Sequence, residues 1–533
     1  MKHWLKIRHD LYIQVRQRVE AILGQSSSSF QKYQAEYEES FRGPWKVTSK
    51  DKLLQRINLS KIVIMADFHA LLQSQKAHLR ILQALSPDKG GVLAVEFFEI
   101  RHQRFVDGFM EGKLSEKEFL KKINWSESWG FPWDHYRPVL RWAQKRKWRV
   151  VALNDQSKDR SARSLKQRDQ RAATVLAEVL KGLDNSKMIF VIFGDLHLAD
   201  SHLPAEIRKK CTLNDRDITL IFQNSERVYF QLLRKNIEMT VDVVQLKKNH
   251  FCVMNVPPWV KWQNYLLFLE QNFDSEIGDE GQDLTDEVVR YLDLLTKDLG
   301  FEVSHDHFSI FTAESEAFGA MLEKHVEPNQ LRYFLALVEN NVSFYLPQGK
   351  IAFLAQNSVN HAAVVAMAIL HAEVSKTGHY PCHLPQEFLN LIWLEAVLYF
   401  GSKIINPKRK TDTLMDVKST LSSRPVFGVE RETLQLALQQ KMSEVLYLSQ
   451  GRKTREGYRP RKKTTYREAA RLLGGMLGEK LYFAYRKRLI SRLTLQNLMC
   501  KRLDLENFKN VYFEILEMVE LLPEPFQSKR EKL

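Results

Sequence analysis

Two short histidine-bearing stretches and one acidic residue have the types and spacing to do chemistry. ADFHA at 66–70 and GDLHLA at 194–199 share Asp-x-His directly after an apolar run, and between them Glu96 sits near the end of a third run, VLAVEFF. Two imidazoles with a carboxylate form a ligand set for Zn, Mn or Fe that leaves positions open for water or substrate. The same three groups also serve as base, acid and activating carboxylate in hydrolytic chemistry. His69, Glu96 and His197 are therefore the candidate catalytic residues and the candidate metal ligands. A single histidine closing a strand is ordinarily just a hydrogen-bonded residue, so the argument rests on the matched pair together with Glu96.

The elements that must position these residues are short, continuous, β-branched-rich runs: IVIMA (62–66), VLAVEFF (92–98), RVVALN (149–154), MIFVIFG (188–194) and ITLIFQN (218–224). Strands apolar on both faces belong to sheets covered on both sides, and the amphipathic segments between them imply parallel crossovers. In such a sheet, ligands bind at the carboxyl ends of the strands. Four successive strand ends carry Asp67 and His69, Glu96, Asn154, and Asp195 and His197. Gly194 permits close backbone approach to a bound group. Asp67, Asn154, Gly194 and Asp195 are thus candidate ligand-binding residues. Ser115 and Glu118 have capping-box spacing, and Ser164 is expected to open a long helix reaching about Leu183.

The fold class expected is α/β, a largely parallel sheet with flanking helices, over residues 45–240, followed by a mainly α-helical domain over 256–533. An amphipathic helix with apolar residues at spacings of three and four occupies Trp4 to Leu23 within an N-terminal helical segment, 1–44, with Ser26 to Ser29 as a loop. Beyond Pro257 and Pro258 the strand signal fades. Helices are expected over 262–273, 284–299, 357–375, 387–405, 430–448, 466–495 and 508–522.

The order of motifs resembles a known family. ADFH (66–69), EFF (96–98), GKLSEKEF (112–119), WDHYRPVL (133–140), ALN (152–154) and GDLH (194–197) follow one another as do G-E-x-H, E-M-F, G-x-L-S-x-x-E/D-F, W-x-x-Y-x-P-I/V-L, A-L-N and G-x-x-H in the ChaN-like domain of the haem-binding uptake and Tiki superfamily. SLKQRDQRAATVLAEVL, before the last strand, is similar to that family's R-D helix. The resemblance spans residues 55–225. Ala66 and Asp67 stand where the family has glycine and glutamate. The resemblance implies a small-molecule ligand or haem as partner, and haem or a divalent metal as cofactor. Among its hydrolase members it implies His69 as base, Glu96 as activating carboxylate and His197 as ligand or transition-state stabiliser. Tyr136, the tyrosine of the W-x-x-Y element, joins the ligand-binding candidates, although the tyrosine that ligates iron in haem-binding members has no assigned counterpart here.

Composition narrows the class. A chain of 533 residues with 44% apolar and 27% charged residues is a soluble, multidomain type. Its four cysteines, Cys211, Cys252, Cys382 and Cys500, form no CxxC element, so neither a disulfide framework nor a cysteine zinc site is expected. The longest apolar run, Ala362 to Leu370, is too short to span a bilayer, and the amino terminus lacks the apolar core of a secretory signal. A cytoplasmic location without a transmembrane segment is the expectation. HYPCH (379–383) and SHDH (304–307) read as polar loops, and His361 and His371 as satisfied core histidines. The net charge of +15 is concentrated: Arg452 to Arg488 holds thirteen basic and three acidic residues. That segment, with a basic loop near 451–465 carrying Tyr458 and a helix starting near Tyr466, carries the alternative function, a non-catalytic ChaN-fold scaffold that binds nucleic acid or acidic lipid. The solvated-loop reading is favoured over it.

Overall fold

The computed structural model describes residues 2–155, 161–273, 285–303, 308–313, 315, 317–423, 425–450, 462–524, 526, 528 and 533. The chain divides into two compact units, Arg8–Leu269 with Leu533, and Met1–Ile7 with Glu270–Lys532.

The first unit is built on eight strands: β1 (Lys46–Thr48), β2 (Ile62–Asp67), β3 (Gly91–Glu99), β4 (Arg149–Asn154), β5 (Met188–Gly194), β6 (Ile218–Gln223), β7 (Val243–Lys247) and β8 (His250–Val253). They form one sheet in the order β1-β7-β8-β6-β2-β5-β3-β4. Pairings among β6, β2, β5, β3 and β4 are all parallel, and β7 runs antiparallel to both its neighbours. The five runs read from the sequence are these five parallel strands. β1, β7 and β8 are additions that the sequence reading did not contain; β1 and β8 are three and four residues long. Of these, β7 and β8 lie beyond residue 240.

Every residue of β2, β5 and β6 is buried. On one face Val63, Met65, Leu93, Val95, Phe190 and Ile192 share a core with Phe109, Phe119, Tyr136 and Leu140. The alternate residues Ile62, Ile64, Ile189 and Val191 point the other way and are buried as well, so helices must cover both faces. Those relevant to the site are α1 (Ser28–Glu39), α2 (Leu72–Gln83), α3 (Glu116–Ile123), α4 (Trp133–Arg146), α5 (Ala162–Lys181) and α6 (Pro258–Phe273). Helix α3 opens with the Ser115/Glu118 capping box in full. α5 starts earlier than expected: Ser161, not Ser164, is its cap, and the Ser161 side chain accepts the Ser164 N–H. α1 is a correction of a different kind. The serine loop was expected to end near Ser29, whereas Ser27 caps a new helix on which Tyr33 and Tyr37 are buried.

The second unit is largely helical, as expected. Its central helix, α7 (Phe388–Ile405), packs against α8 (Lys463–Arg486) and against a helix at Val359–Ser375. Contact between α7 and α8 is close because α8 contributes GGMLG: a Cβ on Gly478 would lie 2.4 Å from the Ala396 carbonyl oxygen. Among the described residues α7 alone is long and apolar enough to cross a membrane, and 83% of that stretch is buried within the protein, as in the core helix of a soluble fold. A three-stranded sheet, β9 (Ser309–Thr312), β10 (Phe344–Leu346) and β11 (Ile351–Leu354), also stands in this unit. The sequence reading held no strand here.

Two features fall partly or wholly outside the described residues: SHDH at 304–307, and 451–461 of the basic loop. The remainder of the basic segment is mostly α8, and its described residues offer no stacking surface for the alternative, nucleic-acid-binding reading. Tyr466 is buried edge-on against Phe388, and Arg467 and Lys480 are buried too. His361 donates to or accepts from Ser343 Oγ at 2.8 Å, as a satisfied core histidine does. His371 differs from expectation: it is buried, and its Nε2 has no partner among the described residues.

Candidate functional site

Strand order brings the candidates together. β5 lies between β2 and β3, with Asp67 of β2 in register with Gly194 of β5. The two Asp-x-His turns therefore leave adjacent strands, and Glu96 rises on the other side of β5.

Asp67, the last residue of β2, is fully buried and anchors the first histidine. Its Oδ2 is 2.8 Å from His69 Nδ1, and its Oδ1 accepts from Gln75 Nε2 at 2.7 Å and His78 Nε2 at 3.1 Å, both on α2. The Tyr136 hydroxyl of α4 donates to Asp67 Oδ2 at 3.3 Å. Burial alone would raise this carboxyl, but hydrogen bonds from the two histidines outweigh it and hold it well below the usual carboxylate range. Burial likewise disfavours a charged His69, yet its hydrogen bond to Asp67 and the charges of Asp67, Glu96 and Asp195 raise it above its ordinary value. An ionised carboxylate only accepts, so His69 carries its proton on Nδ1 and turns Nε2 inward.

The second histidine repeats the arrangement with a residue that the sequence reading did not select. His197 Nδ1 is 2.6 Å from Asp169 Oδ1 on α5, whose Oδ2 accepts from the Tyr33 hydroxyl of α1 at 2.8 Å. Burial, then the Asp169 charge, pushes the Tyr33 phenol far up, so it stays a donor. Tyr33 in turn stacks on His202 at 3.6 Å.

Glu96 lies between the two imidazoles. His69 Nε2 is 3.9 Å from its Oε2, and His197 Nε2 is 3.9 Å from its Oε1. These separations are too long for hydrogen bonds. Glu96 Oε2 instead accepts the Gly194 N–H at 2.5 Å, and Arg168 Nη1 stands 3.7 Å from Oε1. A Cβ placed on Gly194 would be 3.1 Å from Glu96 Oε2, 3.4 Å from His69 Nε2 and 3.4 Å from His197 Cδ2. All three groups thus crowd the Gly194 Cα, and a Cβ there would press on Glu96. Access is from the His69 side, since that imidazole is 25% exposed and His197 only 4%. The edge of His69 meets Trp129 at 4.6 Å and Phe131 at 5.2 Å between ring centres.

Other candidates fall around this centre or away from it. Asp195 is half-buried, 3.7 Å from Lys261 Nζ, and burial pushes its carboxyl up against the pull of Lys261 and His69. Tyr136 is buried with its hydroxyl committed to Asp67 and the His69 carbonyl, so it supports the rim and does not face a ligand. Asn154 ends the edge strand β4, and its Oδ1 accepts the Asp155 N–H. No hydrogen bond or ion pair among the described residues joins it to His69, Glu96 or His197. Asp169 and Arg168 were legible only as the R-D pair of SLKQRDQRA. Tyr33, Gln75 and His78 had no signal, because nothing in a local pattern says which helix face meets which strand end.

Gly194 has φ −51°, an ordinary backbone conformation for any residue, but a Cβ 3.1 Å from Glu96 Oε2 has no room unless that carboxylate moves. Gly194→Ala should therefore cost about 1–3 kcal/mol and displace Glu96 from between the histidines. Urea unfolding of variant and parent measures the loss, and equal stability would show that Glu96 yields freely.

These features define a parallel α/β domain whose strand ends present two carboxylate-anchored histidines to one glutamate. Residues 53–164 match the family model for haem-binding uptake, Tiki superfamily, ChaN. That match includes His69, Glu96 and Tyr136; Asp169 and His197 lie beyond it and join the site through the fold. No curated protein matches the chain. No solved structure matches it either.

Proposed function

We propose that the first unit is a ChaN-like ligand-binding domain whose rim holds a divalent metal and performs hydrolase-type chemistry on a small molecule. The observation that carries this reading is the symmetry of the histidines: each has Nδ1 tied to a buried aspartate, and each has Nε2 3.9 Å from a different oxygen of Glu96. Metal-ligating histidines ordinarily donate their other ring N–H to a carboxylate in this way. Donors bonded to a tetrahedral ion lie about 3.4 Å apart, so the two imidazoles, each 3.9 Å from its own Glu96 oxygen, would draw in toward one another to share an ion. His69, Glu96 and His197 would hold the ion, which when bound polarises a carbonyl or phosphoryl oxygen and activates water. Asp67 and Asp169 fix both imidazoles with Nε2 inward. The N–H of Gly194 and the Arg168 guanidinium hold Glu96 between them.

Haem is the second reading, favoured by the family match and by one observation. His69, 25% exposed, stands beside Trp129 and Phe131, an apolar setting for a planar ring that its Nε2 would hold. His197 is buried, so haem would engage His69 alone. Single variants separate the two. Metal content should fall by one equivalent with His69→Ala or His197→Ala, and by no more than that in the double variant. A Soret band should be lost with His69→Ala and kept with His197→Ala. Unchanged metal and haem binding in the double variant would eliminate both.

A further inference from the structure

A second group of ligand-type side chains stands in the helical unit, far in sequence from the rim. The segment His379-Tyr-Pro-Cys382-His383-Leu-Pro-Gln-Glu387 joins the helix ending at Ser375 to α7. Read from sequence it is a polar loop, because Cys382 and His383 have no distant partner of ligand type. In the structure Cys382, His383 and Glu387 bring a sulfur, a ring nitrogen and a carboxylate oxygen within 4.8 Å of one another. His379 Nε2 is 2.8 Å from Glu387 Oε1.

The loop's backbone sets this arrangement. Glu387 Oε2 accepts the N–H of Cys382 at 2.8 Å and of His383 at 2.7 Å, which folds the chain around the carboxylate. The donor atoms therefore converge because of the turn and not by mutual contact, and Glu387 Oε1 has only His379 as a hydrogen-bond partner among the described residues.

We propose that this loop is a Zn²⁺ site with Cys382, His383 and Glu387 as ligands. Thiolate, imidazole and carboxylate donors suit zinc and not magnesium or calcium, and His379, bonded to Glu387 Oε1, orients that carboxylate. Zinc binds the thiolate, so the Cys382 thiol gives its proton to solvent as the sulfur–zinc bond forms. The ion would clip the loop to the start of α7, the central helix of the unit.

The test uses the full chain carrying His69→Ala and His197→Ala, so that the rim cannot contribute. Equilibrated with Zn²⁺ and freed of excess, this protein should retain one equivalent of zinc, and Co²⁺ in its place should give a thiolate-to-cobalt charge-transfer band. Adding Cys382→Ser, which changes one atom, should remove the band and most of the zinc; His383→Ala should also release zinc. Absence of zinc from the rim-silenced protein, or zinc retained unchanged after Cys382→Ser and His383→Ala, would overturn the proposal. Neither result bears on the rim, whose failure would appear only in chains with His69 and His197 intact.

Discussion

Asp67→Ala should destabilise the first unit by about 3–5 kcal/mol, the usual cost of removing one member of a buried, hydrogen-bonded charge pair. Four donors converge on this carboxylate, from His69, Gln75, His78 and Tyr136, and three of the donors, Gln75, His78 and Tyr136, are themselves buried. Each donor stranded without an acceptor adds a desolvation penalty. The effect has a pH signature. Asp67 is held below its ordinary value of 3.8, so its stabilising contribution is present above that value and lost as pH falls through the lower, folded one. His69 is raised above 6.5, so its contribution is complete below 6.5 and lost as pH rises through the higher, folded one. Both describe one ion pair, which therefore contributes most between about 3.8 and 6.5. Urea unfolding of parent and variant across pH should show the largest difference in that window. Asp67→Asn should lose less stability and lose the pH dependence. A difference under about 1 kcal/mol for the alanine variant would mean that Asp67 is not the anchor of the rim.

Asp169→Asn should weaken metal binding at the rim by about 10–100-fold, the range for outer partners of ligating histidines. Asparagine keeps the shape but presents an N–H₂ at one of the two contacts now made to His197 and Tyr33. If it faces His197 Nδ1, the imidazole must place its own proton on Nε2, which closes the inward lone pair. If it faces Tyr33, Oδ1 still accepts the His197 Nδ1–H, and what is lost is the negative charge that makes Nε2 a strong donor to a metal. Zinc or manganese titration of variant and parent measures the loss, and circular dichroism checks that the fold is kept. Tyr33→Phe, which removes only one donor to Asp169, should have a smaller effect. Equal affinity in Asp169→Asn and parent would remove Asp169 from the machinery.

Some of this was legible without coordinates because it is local. Strands β2 to β6 are continuous apolar runs, so burial on both faces follows from composition, and each run ends where its polar residues begin. The placement of His69, Glu96 and His197 at strand ends follows from that pattern and from the preference of parallel sheets for sites at their carboxyl edge. The motif order from ADFH to GDLH, which carries the family resemblance, is likewise a property of the linear chain. The short strands β1, β8 and β9 to β11 escaped because three or four residues give too little periodicity to register, and β7 because Gln245 and Lys247 break its apolar run.

What the linear order left open is which partners meet, and there the tertiary structure decided. Only the strand order β2-β5-β3 makes Asp67–His69 and Asp169–His197 two arms around one glutamate, because β5 returns between two strands that precede it in the chain. Tyr33 reaches His197 across 164 residues and Asp169 across 136. Tyr136, a ligand candidate by its motif, becomes a buried support because α4 packs its ring into the core. His379, Cys382, His383 and Glu387 look like a polar loop in sequence and converge only because two backbone N–H groups wrap around one carboxylate. Residue type and local spacing determine which groups are available for chemistry, and packing over long separations determines which of them share a site.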